Sequence, residues 1–356
     1  MGTKTKSVFT RVNGRGNAWP VFLGSTHPFY NIDDLRDMAN ASYSLVGNET
    51  EDYSTSHISW EILVDSGHLS VQYLLQHGNR IPEAVVITHP HMDHTLGVDW
   101  VAQSYYRLHG QKKYPLYATQ PCWEFVKKSY PQLGQVIEFN EIKYGVRSPV
   151  TQVDDLYVTP FPVFHGNSGF GASMLLFEYM NGNKLVKAVF TGDMLCPLLR
   201  REDYEKISNA CIMYIDSNNR YPYPRCNHES FVKYEPDSAE ESNFLTEWKK
   251  EVFLSYLVAP HSRLKPDRDI HGYLDTFLKE HNDIHSLTFS VIEFIKKLKV
   301  PEVKLIHFSG MEDEKYHGQE IMNDRQLESW ANSIASKENL TTVISVPKSG
   351  DIFRII

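Results

Sequence analysis

The sequence predicts an α/β fold built on two sheets, and three observations carry that expectation. Between residues 58 and 128, apolar runs of strand length alternate with segments whose apolar residues recur at helical spacing. From 136 to 190 the alternation stops and strand follows strand. Several apolar runs also end on a histidine or an aspartate, so ligand-type side chains collect where strands finish. The change of pattern near 136 divides one domain, spanning 1–356, into two sheet halves.

The elements follow in order. Val8, Phe9, Thr10, Arg11 and Val12 read as a strand that runs into the Gly-rich stretch Gly14-Arg15-Gly16-Asn17-Ala18-Trp19-Pro20. Runs at 43–46 and 58–64 read as paired strands, with polar residues 48–55 between them. A short helix at 71–77 leads to Ala84-Val85-Val86-Ile87, an unbroken apolar run of the kind a buried parallel strand shows. Val98, Val101, Tyr105 and Leu108 have helical spacing within 97–109, and 116–118 with 121–128 repeats the strand-helix unit. Strands follow at 156–164, 173–179 and 184–190. The stretch 197–284 holds a strand at 211–215, the Pro- and Tyr-rich Arg220-Tyr221-Pro222-Tyr223-Pro224-Arg225 and a helical segment at 240–256. Much of it reads as an insertion near the active-site edge, serving as a lid or a dimer contact. A helix at 289–298, a strand at 303–306, a surface helix at 319–337 and a closing hairpin of 341–346 with 351–355 complete the chain.

Composition removes several function classes. Lysine and arginine number 36 against 44 acidic residues, a formal charge of −8 that opposes a general nucleic-acid binder. Cys122, Cys196, Cys211 and Cys226 form no Cys-x-x-Cys pair, so neither a zinc knuckle nor a disulfide framework is expected. No stretch approaches the roughly 18 apolar residues a membrane span requires, and the N-terminus leads into no signal-like run. The expectation is a cytoplasmic protein that does not engage membranes.

Thr88-His89-Pro90-His91-Met92-Asp93-His94 places three imidazoles and a carboxylate just after the 84–87 strand. Pro90 keeps the segment from continuing as a helix. On extended backbone side chains repeat every two residues, so His89 and His91 point the same way and can converge on one ion. Asp93 and His94 fall where the chain turns and can aim at a second.

The pattern His-x-His-x-Asp-His resembles the signature of the metallo-β-lactamase superfamily, and the other expected pieces follow in order. Phe164-His165-Gly166 is similar to its third-histidine motif, and Thr191-Gly192-Asp193 to its metal-bridging aspartate. Leu305-Ile306-His307 is similar to its last histidine, and Asp65 in Leu63-Val64-Asp65-Ser66-Gly67 fits the aspartate that buttresses the histidine loop. Gly14 to Pro20 resembles the first loop of phosphodiesterase-like members. The resemblance implies a four-layer αββα sandwich with the ligands along a shared sheet edge. It assigns His89, His91 and His165 to a first ion and Asp93, His94 and His307 to a second, with Asp193 bridging. Two divalent ions so placed hold a hydroxide, coordination lowering the pKa of water from about 15.7 toward 7. Zinc is the first choice, with manganese or iron fitting the same donors.

The resemblance also shapes the expected chemistry. Members doing iron redox chemistry usually carry Glu where His91 stands, so hydrolysis is favoured, and Asp193 argues against the β-lactam-cleaving branch. Beside Asp93, the candidate catalytic residues are His285, in a segment similar to the His-Ser-Thr of phosphodiesterase relatives, and His228 in Asn227-His228-Glu229. Either would donate a proton to the leaving alkoxide. The implied function is a phosphodiesterase acting on a small or cyclic phosphate ester or nucleotide, nearest the phosphoribosyl cyclic phosphodiesterase and pyrroloquinoline quinone synthesis protein B group. The alternatives are a tRNA 3′-processing endoribonuclease, a lactone or thioester hydrolase, and a binding protein on a spent hydrolase fold. The partner expected is a small-molecule phosphate ester, and a homodimer is compatible with the 197–284 segment.

Overall fold

The computed structural model describes residues 5–16, 40–78, 80–165, 169, 171–217, 230–232, 238–240, 243, 290–308 and 322–356. Its strands are β1 (Ser7–Arg15), β2 (Ala41–Asn48), β3 (Ile58–Val64), β4 (Ala84–Val86), β5 (Tyr114–Ala118), β6 (Ile137–Glu141) and β7 (Ser148–Pro149). They continue with β8 (Leu156–Phe164), β9 (Ser173–Asn181), β10 (Lys184–Phe190), β11 (Cys196–Pro197), β12 (Ile212–Asp216), β13 (Glu302–Ile306), β14 (Val343–Ser345) and β15 (Ile352–Arg354). The helices are α1 (Ser70–Gln76), α2 (Met92–Thr95), α3 (Val98–Leu108), α4 (Gln120–Ser129), α5 (Leu133–Val136), α6 (Arg201–Ile207), α7 (Val291–Leu298) and α8 (Asp324–Lys337).

Two sheets form. The first runs β15-β1-β2-β3-β4-β5-β6, and the second β11-β8-β9-β10-β12-β13-β14 with β7 beside β8. Each joins an antiparallel part to a parallel part: β3-β4-β5-β6 in the first, β10-β12-β13-β14 in the second. Period-two alternation sorts side chains between layers. Ile62, Val64 and Val86 meet Phe177, Phe190 and Tyr214 in the core between the sheets. Their neighbours Leu63, Val85 and Ile87 turn outward and pack under α3 and α4. Met213 and Ile215 of β12 likewise pack under α7 and α8. Helices therefore cover both outer faces, which makes four layers, α over β over β over α. Between the sheets, Thr10 Oγ1 and Tyr214 OH lie 2.8 Å apart and Phe190 stacks on Tyr214 at 4.9 Å.

Two sequence expectations change. The closing hairpin does not form: β14 pairs in parallel with β13 in the second sheet, while β15 pairs antiparallel with β1 in the first. The turn that separates them, at Gly350 with φ +99°, is tied to β1 because Gly350 N donates to Val12 O. The last strand thus crosses from one sheet to the other. The surface helix starts at Asp324, not 319, because Asn323 caps it. Asn323 Oδ1 accepts from Gln326 N at 3.0 Å and Gln326 Oε1 accepts from Asn323 N at 2.9 Å, a reciprocal cap worth about 1 kcal/mol. Within 197–284, α6 and β12 belong to the body of the second half, with β12 paired between β10 and β13. Of 218–284, the rest of that stretch, only 230–232, 238–240 and 243 are described.

Candidate metal centre

β4 delivers the first cluster. Beyond Ile87 the chain bends at Thr88 and is extended again at His91 (φ −63°, ψ 154°), the residue just before the single-turn helix α2. His89 and His91 face one another, with ring centroids 4.7 Å apart, and the turn into α2 brings the His94 ring to 4.0 Å from His89. Asp65, in left-handed backbone (φ 56°) just past the neighbouring strand β3, holds this loop. Its Oδ1 accepts from Thr88 N at 2.7 Å, and its Oδ2 accepts from Thr88 Oγ1 at 2.7 Å and from His94 Nδ1 at 2.8 Å.

Those bonds orient the imidazoles. His94 Nδ1 donates to Asp65, so Nε2 faces the cluster. Burial lowers the pKa of this ring, but Asp193, Asp93 and Asp65 outweigh it and raise it well above its ordinary value, so a metal ion would take the place of the Nε2 proton. Because Thr88 spends its own proton on Asp65, its oxygen receives His89 Nδ1, 3.1 Å away, and the His89 Nε2 lone pair faces the cluster as well. That nitrogen is fully buried and makes no hydrogen bond; its nearest carboxylate oxygen, Asp193 Oδ2, is 3.7 Å away. A buried acceptor left alone costs about 1–3 kcal/mol, a cost that a cation removes. The residues therefore fit divalent metal ions.

The second sheet supplies the remaining members from three strand ends. His165 follows β8, and its Nε2 lies 3.1 Å from His91 Nδ1 and 3.6 Å from Asp193 Oδ2. Asp193 sits in the loop after β10, behind Gly192 in left-handed backbone (φ 58°). A Cβ on Gly192 would fall 2.8 Å from Thr88 Oγ1, so the two ligand loops touch where this glycine lies. His307, immediately after β13, also has positive φ (58°), and its N–H donates to Gly16 O at 3.1 Å at the end of β1. The His307 ring stacks on His94 with centroids 5.0 Å apart.

Asp193 divides its two oxygens between the clusters. Oδ2 faces His89 and His165; Oδ1 lies 3.1 Å from His94 Nε2 and 3.0 Å from His307 Nε2. Asp93 Oδ2 closes the second cluster, 3.4 Å from His94 Nε2. His89, His91, His165 and Asp193 form one group, and Asp93, His94, His307 and Asp193 the other; within each, the ligand atoms lie within 4.8 Å of one another. All seven ligand-type residues expected from the sequence come together.

Charge is shared out within the cluster. Burial, reinforced by His94, pushes the His89 pKa well below its ordinary value, so this ring is neutral. Burial works to raise Asp193, but the charges of His307 and His94 outweigh it and hold its carboxyl well below the usual range. Asp93 behaves alike: burial raises it, His94 more than compensates, and its pKa falls to about 2. At neutral pH both carboxylates are anionic and able to take a cation.

Sequence reasoning missed three supporting residues. Thr88 was seen only as the start of the motif. Gly16 stands in the sequence only as one glycine of a Gly-rich loop, yet a Cβ there would fall 2.2 Å from His307 Nε2. Asp216, buried at the end of β12, accepts from Met194 N at 2.9 Å. Its signal was an apolar strand closing on an aspartate, as β3 closes ahead of Asp65. The two proton-donor candidates, His285 and His228, lie outside the described residues.

The four-layer architecture, with ligand-type residues gathered where strands of both sheets end, is that of the metallo-β-lactamase fold. Residues 61–197 match the β-lactamase superfamily domain. A diphosphatase of the PhnP family superposes with a TM-score of 0.57 at 15% identity, covering 97% of this chain and 97% of its own. Unliganded yeast PDE1 gives 0.52 at 13% identity over 98% of this chain and 99% of its own, and the human short-form tRNase Z 0.50 at 12% over 98% and 99%. At such identities the likeness speaks to the fold. No curated protein sequence matches the chain.

Proposed function

We propose that the protein is a dinuclear metal-dependent phosphodiesterase acting on a small or cyclic phosphate ester or nucleotide. One observation carries the reading: Asp193 turns one carboxylate oxygen to each of two ligand groups drawn from both sheets. His89, His91 and His165 with Asp193 would hold one ion, and Asp93, His94 and His307 with Asp193 the other. A pair of divalent ions supplies an activated water and neutralises charge developing on phosphate oxygens. Imidazole and carboxylate donors suit zinc first, then manganese or iron.

The chain contributes orientation. Asp65 and Thr88 orient His94 and His89 so that their Nε2 atoms would meet the ions, and the anionic Asp193 and Asp93 would offset the ions' charge. His285 and His228 are proposed as donors of a proton to the leaving alkoxide. The formal charge of −8 supports a small substrate over a long polyanion such as tRNA. Much of 197–284 is proposed as an insertion in a single domain, placed as a lid or a dimer contact.

The test is hydrolysis by zinc- and manganese-loaded protein of bis-p-nitrophenyl phosphate, 2′,3′-cyclic nucleotides, lactones and precursor tRNA. Turnover of the small diesters is expected. Activity on a lactone with none on any phosphate ester, or cleavage of precursor tRNA alone, would overturn the proposal.

A further inference from the structure

We infer that Asp216 is a positioning residue for Asp193, and through it sets the affinity of both ion sites together. The inference rests on the ligand assignment proposed above. Asp216 is fully buried at the last position of β12. Its carboxylate Oδ2 accepts from Met194 N at 2.9 Å, and its own N–H donates to Thr191 Oγ1 at 3.0 Å. Two residues back along β12, Tyr214 O accepts from Thr191 N at 3.0 Å. The loop carrying Asp193 is thus fastened to β12 at 191, by backbone and side chain, and at 194, on the far side of the ligand.

A buried carboxylate costs desolvation, and the bond it takes from Met194 N fixes where the backbone beside Asp193 lies. Gly192 is in left-handed backbone with Thr88 against it, which leaves the loop few other paths. On the other side, Leu195 N donates to Phe164 O at 2.6 Å, next to His165. If the bond from Met194 N is lost, the chain can rotate about 193–194 and swing both Asp193 oxygens away from their histidines. Asp65 performs the equivalent task on the first sheet, also from the end of a strand parallel to the one that carries the ligands. It steadies only the 88–94 loop. Asp216 steadies the one residue that both groups share.

The experiment is a zinc titration by calorimetry of the full chain and of its Asp216→Ala, Asp216→Asn and Asp216→Ser variants, with the cobalt(II) absorption spectrum as a second readout. Asp216→Ala is expected to weaken both binding steps by about 10- to 100-fold, the usual cost of removing an outer-shell partner, and to change the cobalt spectrum. Asp216→Asn should recover most of the affinity, since its amide oxygen still accepts from Met194 N. Asp216→Ser draws the side-chain oxygen back from Met194 N while keeping a polar group, and it decides the matter if the alanine variant does not fold. Asp203→Ala is the control. Asp203 is equally buried and accepts from Arg200 N, Nε and Nη2, so its loss should lower the melting temperature and leave zinc affinity unchanged. A folded Asp216→Ala or Asp216→Ser protein with wild-type affinity at both sites would overturn the inference, as would an asparagine variant as weak as alanine. Were the wild-type chain to bind two ions yet hydrolyse no phosphate ester, the phosphodiesterase reading would fall while the titration still judged Asp216.

Discussion

The two sheets build their shares of the site by different means. From the first come His89, His91, Asp93 and His94, all within one loop, braced by a single carboxylate that bonds Thr88 and His94. From the second come His165, Asp193 and His307, each behind a different strand and two of them dependent on left-handed backbone at Gly192 and His307 itself. Local geometry places the first set. Contacts between distant chain segments place the second, among them His307 N to Gly16 O and Ser173 N to Thr88 O. The difference teaches that the second half should be the more fragile, and that the two groups should be separable by mutation everywhere except at Asp193.

Asp193→Ala tests the exception and carries the largest expected effect. Both groups lose a member, so metal analysis should fall from two ions toward none, and hydrolysis of bis-p-nitrophenyl phosphate should fall to the metal-only background. Retention of one tightly bound ion would mean that Asp193 serves a single group. Asp65→Ala comes next. It leaves Thr88 N, Thr88 Oγ1 and His94 Nδ1 without their shared acceptor, at about 1–3 kcal/mol for each donor that stays buried and unpaired. Chemical denaturation should show a loss of several kcal/mol, about 3 or more, with weaker binding at the group that contains His94. A loss under about 1 kcal/mol would show that the loop holds itself.

Gly16→Ala separates the groups from the other side. Its Cβ would fall 2.2 Å from His307 Nε2, in backbone (φ 68°) that alanine adopts only with strain of about 1 kcal/mol. The imidazole must move, so the Asp93, His94 and His307 group should lose its ion while the His89, His91 and His165 group keeps its own. A stoichiometry near one is expected. Loss of both ions would show that the groups are coupled more tightly than by Asp193 alone.

The same division explains what could be read from the chain. Ligands from one loop are written in consecutive letters, and the 3.6- and 2-residue periods around them place α3, β3 and β4 within a residue or two. His165, Asp193 and His307 were legible because each ends an apolar run and matches a short motif in the right order. Asp216 and Gly16 were not, because each acts on a residue far away: Asp216 on the 191–194 loop, Gly16 on His307. The supposed closing hairpin failed for the same reason. Two short strands and a turn are local facts, but whether 343–345 and 352–354 pair with each other or with β13 and β1 is settled by edges supplied elsewhere. Sequence periodicity reports which side of a strand is buried, and not which strand lies beside it.

Thr88→Val has the smallest expected effect and gives the sharpest view of the first loop. Valine keeps the branched shape, so packing against Gly192 survives, and the backbone N–H still bonds Asp65 Oδ1. What disappears is the hydroxyl that donates to Asp65 and receives His89 Nδ1. His94 keeps its own bond to Asp65, so the group it belongs to should be little changed. His89 loses the partner that fixes its tautomer, and the affinity of its group should drop by about tenfold, the low end for an outer-shell contact. Stability should change by only about 1 kcal/mol, the net worth of an ordinary hydrogen bond. Zinc titration with two resolved steps checks the prediction: one step should weaken and the other stay. If both weakened equally, the Thr88 hydroxyl would be acting through Asp65 on the whole loop, and the first half would be as interdependent as the second.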